Sequence, residues 1–241
     1  KMRQCTVKEA LRIIEEDKNS FLFQQRPNFK VEQQDKISVK EVKELTHYAL
    51  RGYLSSRSIS TATAKKYISE VHYSFKNKNY FAIGFKNDSG GWELRNKYYK
   101  NCSSPKDITH IKKGNGKLIV TEGVFDLLSL LSYNEILEAE YDFSVLNSTA
   151  FVSKAMEIMK GYLQIDLYLD NDTNGKRTTE RLMAHSNNCL DKSMLYQGFK
   201  DMNEWLISYS KKGLGQEARD VSLLPQRQTR FTPGGRKVRE K

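Results

Sequence analysis

The sequence predicts an α/β protein built on a mainly parallel sheet, preceded by a smaller, basic α+β unit. Two patterns carry this. From Lys117 onward, apolar runs of strand length alternate with stretches of helical period, as in βαβ units. Upstream of Lys117, aromatic-rich alternating segments flank a cluster of Asn, Asp and Gly, as in antiparallel strands joined by turns. A third observation concerns partners: 40 Lys and Arg against 29 Asp and Glu give the 241 residues a net charge of +11. Such a balance favours a polyanionic partner, nucleic acid before an acidic membrane surface.

The elements follow in order. Residues 6–17, TVKEALRIIEED, have helical spacing, with Thr6 and Glu9 placed as a capping box. Residues 20–37 are Gln-rich and aperiodic, and predict loop or extended chain. From Ser38, SVKEVKELTHYALRGYLSSR spaces Val39, Val42, Leu45, Tyr48 and Ala49 as a helix does, again with Glu41 three residues after Ser38. Residues 60–70, STATAKKYISE, predict a second short helix. HYSFKNKNYFAIGF then alternates as strand, KNDSGG is turn chemistry, and WELRNKYYK returns as a partner strand. This patch displays Lys86, Arg95, Lys97 and Lys100 near one turn, with Phe85, Trp92, Tyr98 and Tyr99 as rings for base stacking or for the core.

In the second half, KLIVTEG, DFSVLN, QIDLYLDND and SMLYQ read as strands. VFDLLSLLSYNEIL, VSKAMEIMKGY, GKRTTERLMAHSNN and MNEWLISYSKK read as the helices between and after them. Residues 211–241 hold nine Lys or Arg against three acids, with several Gly and Pro, and predict a basic, weakly structured tail. The organisation is therefore 1–37 helix and linker, 38–112 basic subdomain, 113–210 α/β domain and 211–241 tail.

Several classes are excluded or disfavoured. No apolar run reaches the roughly 18 residues of a membrane-spanning helix. The first residues lack a signal-peptide apolar core. Cys5, Cys102 and Cys189 form no CxxC pair, and His47, His72, His110 and His185 are scattered, so a zinc site within this chain is not expected. The simplest compartment is a reducing cytoplasm.

Inside this basic chain, two acidic clusters end predicted parallel strands. Glu122 follows LIVT, Gly123 permits the sharp turn, and Asp126 falls in the next helix's first turn. Asp126 alone would also suit that helix's dipole. Asp170 and Asp172 follow IDLYL at strand spacing i, i+2, which aims both carboxylates to one side. DNDTNG is good turn composition as well. Ligands of such sheets bind at the carboxyl ends of the strands. Like charges gathered there want a hard divalent cation, Mg²⁺ or Mn²⁺, with phosphate partners.

EG-x-x-D after one apolar strand and D-x-D-x-x-G after another resemble the signature of the toprim domain. That domain is shared by bacterial-type primases, type IA and type II topoisomerases and certain nucleases. The resemblance spans about residues 114–209 and includes Lys200-Asp201-Met202-Asn203-Glu204-Trp205-Leu206, similar to the K-D-x-N-D/E segment of primase-type toprim domains. YLSSRSIS and NYFAIGFKNDSGGWELRN resemble the region before toprim in bacterial-type primases, most like those of plasmids and mobile elements of Bacteroides-like bacteria. Such proteins usually carry a zinc ribbon before this region, so the resemblance implies a fragment or a lost ribbon. It implies a Rossmann-like toprim fold and primer synthesis on single-stranded DNA from ribonucleoside triphosphates, with a replicative helicase among the partners. It also implies roles. Glu122 is the general base or metal-activating acid, Asp170 and Asp172 hold Mg²⁺, and Asp126 supports them. Arg95, Lys100, Lys86, Lys200 and Asp201 face template or nucleotide. A toprim nuclease and a non-catalytic single-strand-binding module are the alternatives.

Overall fold

The computed structural model describes residues 36–212. The helix expected over 6–17 and the basic tail beyond Lys212 lie outside the described residues. Two five-stranded sheets organise the rest.

The first sheet is an antiparallel meander of β1 (Ser38–Lys43), β2 (Ser69–Phe75), β3 (Lys78–Lys86), β4 (Trp92–Arg95) and β5 (Lys100–Cys102), paired in that order. The stretch from Ser38 is thus not one long helix. Ser38–Lys43 is an edge strand on β2, and only Tyr48–Ser56 (α1) is helical. The reason lies in residues distant in sequence. Val39 packs with Ile37 against the Val71, Tyr73, Ala82 and Leu94 cluster, and β-branched residues suit a pleated surface. The Glu70 carboxylate on β2 then accepts hydrogen bonds from the Thr46 and His47 amides at 3.2 and 2.8 Å. These amides open the helix, which His47 caps by accepting from the Ala49 amide.

The helix expected over residues 60–70 shrinks to α2 (Thr61–Ala64), capped by Ser60, before the chain becomes β2. β2 and β3 meet through Lys76 and Asn77, both at positive φ, as a two-residue hairpin turn requires.

The second sheet has the order β10-β9-β7-β8-β6. Its strands are β6 (Thr109–Ile111), β7 (Lys117–Thr121), β8 (Asp142–Val145), β9 (Gln164–Tyr168) and β10 (Cys189–Asp191). All pairs are parallel except β6 with β8. SMLYQ is not a strand: Cys189–Asp191 takes that edge position, and Ser193–Tyr196 is a single 3₁₀ turn. The Asp191 carboxylate accepts from the Ser193 amide and ends the strand, while the buried Tyr196 hydroxyl donates to the Leu169 carbonyl.

Helices cover both faces, as a parallel sheet demands. Alternation along β7 divides them. Leu118 and Val120 face the core shared with α5 (Val152–Met159) and α6 (Thr173–His185). Ile119 faces the core shared with α3 (Val124–Tyr133) and with Met202 of α7 (Met202–Lys211). That second core also takes in Leu50 and Leu54 of α1 and Ile83 and Phe85 of β3. A short helix, α4 (Leu137–Glu140), leads into β8. Among the described residues no helix is long and apolar enough to cross a membrane.

Candidate functional site

The carboxyl ends of β7, β8 and β9 lie side by side, because Thr121 is in register with both Val145 and Tyr168. The next residues are Glu122, Asn147 and Asp170, within one or two positions of each strand's end. The sheet therefore brings together two acids read from sequence and an asparagine that was not. The Asn147 amide donates to the Glu122 carbonyl at 3.0 Å.

Each acid is held differently. Glu122 is half-buried, and its Oε2 has no hydrogen-bond partner. Burial, then the charge of Asp172, raises its pKa, against the Asp170 amide and the Lys200 and Lys100 charges. Asp126, in the first turn of α3, is pushed well above its ordinary value by burial and by Asp201 and Asp170. Burial, followed by Glu122 and Asp201, pushes Asp170 up to about 7. Asp172 goes the other way. It is the N-cap of α6, where Oδ1 accepts from the Asn174 and Gly175 amides at 3.0 Å each, and these bonds lower its pKa. Its Oδ2 lies 3.5 Å from Lys200 Nζ, which is also 3.8 Å from Asp170 Oδ2.

Lys200 and Asp201 are fixed by the chain around them. The Asn171 amide donates to the Lys200 carbonyl at 2.6 Å, and the Asn171 side chain donates to the Tyr196 and Phe199 carbonyls. Asp201 caps α7 by accepting from the Glu204 amide, and the Glu204 carboxylate accepts from the Lys200 amide. This is a reciprocal cap like a capping box, with the Glu204 carboxylate reaching back to the amide one residue before the N-cap.

Cations share this space with the acids. A cavity of about 250 Å³ is lined by Glu122, Asp126, Asp170, Lys200 and Asp201 together with Arg57, Arg95 and Lys100. Arg57 and Arg95 lie 5.9 and 5.8 Å from the Phe125 ring centre, and the Arg95 Nε donates to the Tyr53 hydroxyl at 3.1 Å. Lys86 is not in this cavity. It pairs with Trp92, at the far end of the hairpin from the Ile83–Arg95 pair, and lies over the Trp92 ring. Among the rings, Phe85 is buried, Trp92 is half-buried, and Tyr98 and Tyr99 are exposed.

Sequence reasoning gave no role to Arg57, Glu93 or Asn147, and placed Asn203 only within the K-D-x-N-D/E segment; all four line the cavity. Arg57 is the C-cap of α1 and lies in YLSSRSIS, where nothing singled it out. Asn203 is fully buried, with its side-chain nitrogen donating to the Arg57 carbonyl and the Ser129 hydroxyl. Asn147 had a usable signal, since it ends DFSVLN just as Glu122 and Asp170 end their own strands.

The residues fit a hard divalent cation. The donors are oxygens only, Glu122 Oε2 lacks a partner, and the acids raise one another's pKa values. A cation would reverse that mutual repulsion. Among the described residues no group of three or more His, Cys, Asp or Glu is already arranged to hold a metal ion.

Comparison with known proteins agrees with this layout. Residues 119–206 match the Toprim-like family model, and residues 39–104 match a domain of unknown function, DUF8464. The primase fragment of the bacteriophage T7 primase-helicase protein is similar in structure, with a TM-score of 0.51 at 18% identity, covering 70% of this chain and 72% of that one. The Aquifex aeolicus primase, with its zinc-binding and RNA polymerase domains, gives a TM-score of 0.46 at 18% identity, over 71% of this chain and 55% of that one. No curated protein sequence matches the chain. The fold is a toprim-type, parallel-rich α/β sheet with flanking helices, joined to an antiparallel α+β module.

Proposed function

We propose that this chain is the catalytic core of a DNA primase, joining ribonucleoside triphosphates into short RNA primers on single-stranded DNA. The observation that carries the reading is the single cavity that gathers Glu122, Asp126 and Asp170 with Arg57, Arg95 and Lys100. Acids that suit a cation, opposed by fixed positive charge, are what phosphoryl transfer needs. The Toprim-like match and the fold likeness to a primase fragment support it.

Glu122, Asp170 and Asp172 would hold Mg²⁺ or Mn²⁺, with Asp126 behind them. A bound cation supplies Lewis-acid stabilisation of charge on the transferring phosphoryl group. The chain's own groups do the rest. Glu122 takes the proton of the attacking sugar hydroxyl as its oxygen bonds the α-phosphorus and pyrophosphate leaves. Arg57, Arg95 and Lys200 neutralise phosphate oxygens, and the α7 cap holds Lys200 in place. Lys100 borders the path of the template.

The test is primer synthesis by the full chain on single-stranded DNA, with ribonucleoside triphosphates and Mg²⁺ or Mn²⁺. Short RNA that depends on template and metal is the expected product, lost in Glu122→Gln. Shortened DNA with no RNA would replace the reading with a nuclease. Salt-sensitive DNA binding without any chemistry would replace it with a binding module.

A further inference from the structure

Five buried side-chain polar atoms lack a hydrogen-bond partner among the described residues, and four belong to residues that line the one cavity described above: Arg57 Nε, Glu122 Oε2, Asn147 Oδ1 and Asn203 Oδ1. Buried polar groups are nearly always paired, so each exception calls for a cause. Asn147 is the most constrained of the four. It ends β8 with φ at 57°, the left-handed region that asparagine tolerates but most residues avoid. Its side-chain nitrogen donates to the Asp107 carbonyl at 2.9 Å and to the Thr109 hydroxyl oxygen at 3.0 Å. Thr109 in turn donates its proton to the Lys86 carbonyl. Both partners of the amide are therefore acceptors, which settles which end is nitrogen. Oδ1 is left as a fixed, buried, unused acceptor.

Asn147 also joins two spaces. The acid-lined cavity shares Glu93, Lys100 and Asn147 with a larger one of about 620 Å³, lined further by Asn101, Ser148 and Phe151. An unused acceptor calls for an O–H or N–H donor, and ionised phosphates offer none. Because its amide is bonded to the Glu122 carbonyl, Asn147 sits beside the acid that faces the phosphates. The group one ester bond from a nucleotide's phosphates is its sugar. On that reading the base would lie farther out, toward the larger cavity, which Phe151 lines. Of the two sugar hydroxyls, the 3′ must stay free to attack in the next round.

We propose that Asn147 reads the sugar: its Oδ1 accepts a hydrogen bond from the 2′-hydroxyl of a nucleotide whose base enters the larger cavity. This rests on the nucleotidyl-transfer reading and adds a residue that selects ribose over deoxyribose. A site built for a hydroxyl rejects an analogue without one, because its buried acceptor is then left unpaired.

The experiment is equilibrium titration of the full chain with ATP and dATP in Mg²⁺, for the wild type, Asn147→Gly and Phe151→Ala. Glycine keeps the positive φ without strain. The wild type should bind ATP at least about tenfold more tightly than dATP. Asn147→Gly should bring ATP down to the dATP level and leave dATP unchanged. Phe151→Ala should weaken both by one factor and keep their ratio. Equal wild-type binding of ATP and dATP, or a ratio that survives Asn147→Gly, overturns the assignment and leaves the primase reading standing. A preference for ATP over inosine triphosphate, lost in Asn147→Gly while ATP and dATP bind alike, would put a base amine at this oxygen and also overturn it. Binding of neither nucleotide by the wild type overturns both the assignment and the function beneath it.

Discussion

Gly175, in the first turn of α6, packs against the backbone carbonyl of Asp170 so closely that a Cβ there would overlap it. The loop that carries Asp170 and Asp172 is thus folded back on the helix that follows it. The glycine of D-x-D-x-x-G serves this approach and not a turn.

Gly175→Ala should therefore act on the acids without touching their chemistry. Alanine is the better helix former, but here its methyl must displace the Asp170 backbone. The variant should lose about 1–3 kcal/mol of stability, seen in a urea denaturation midpoint. Primer synthesis should fall more than single-stranded DNA binding. Wild-type stability and activity in Gly175→Ala would show that the loop relaxes freely.

Asp172 serves two purposes that a pair of substitutions can separate. Asp172→Asn keeps the α6 cap, since asparagine caps as well as aspartate, but it removes a charge from the proposed cation site. Stability should change by less than about 0.5 kcal/mol, while primer synthesis should drop about 10²-fold or more. DNA binding should hold. Asp172→Ala should lose the same activity and a further ~1 kcal/mol of stability through the lost cap. Thermal melting and a primer assay run in parallel decide it. Full activity in Asp172→Asn would remove Asp172 from the cation site.

Glu70 gives a pH prediction far from the cleft. Burial by itself would raise its pKa. Hydrogen bonds from His72 and the His47 and Thr46 amides, with the Lys43 charge, outweigh burial and hold the group at about 2, against an ordinary 4.5. A pKa depressed on folding means stability that is complete above the unfolded value. It is lost as pH falls through 4.5 toward 2. The loss is on the order of 3 kcal/mol. Urea unfolding from pH 7 to pH 2 should show this slope. Glu70→Gln should flatten it and lower stability at pH 7, because the neutral amide holds the Thr46 and His47 donors more weakly.

What could be read from sequence followed how local each cause is. The parallel sheet and the positions of Glu122 and Asp170 just past strand ends were legible because strand period, strand ends and turn residues lie within a few positions of one another. The strand spacing expected of Asp170 and Asp172 is not what joins them, since β9 ends at Tyr168 and Asp172 caps α6. The strand at Ser38–Lys43 was not, since Val39, Val42 and Leu45 fit a helical spacing and β1 is too exposed to show an inward face. Glu70, which begins the helix after it, is 23 positions from His47. SMLYQ failed for want of length, as five residues carry too little period to separate a strand from a single turn. That Arg57 and Asn203 share a site was hidden, although both stand in segments quoted for the resemblance, because they meet only when α1 packs by α7, the Asn203 side chain donating to the Arg57 carbonyl.

The shared core bears on how a substrate enters. Leu50, Leu54, Ile83 and Phe85 from the antiparallel module interlock with Leu127, Leu131 and Phe143 from the parallel one. The acids and cations of the cleft therefore stand on one foundation. Prising them apart would expose that core to water at roughly 25 cal/mol for each Å² of apolar surface. The cleft is a mould of set width and not a pair of jaws. On the proposed reading a polynucleotide would thread through it, and discrimination by size would be made at the opening and not by closure around the guest.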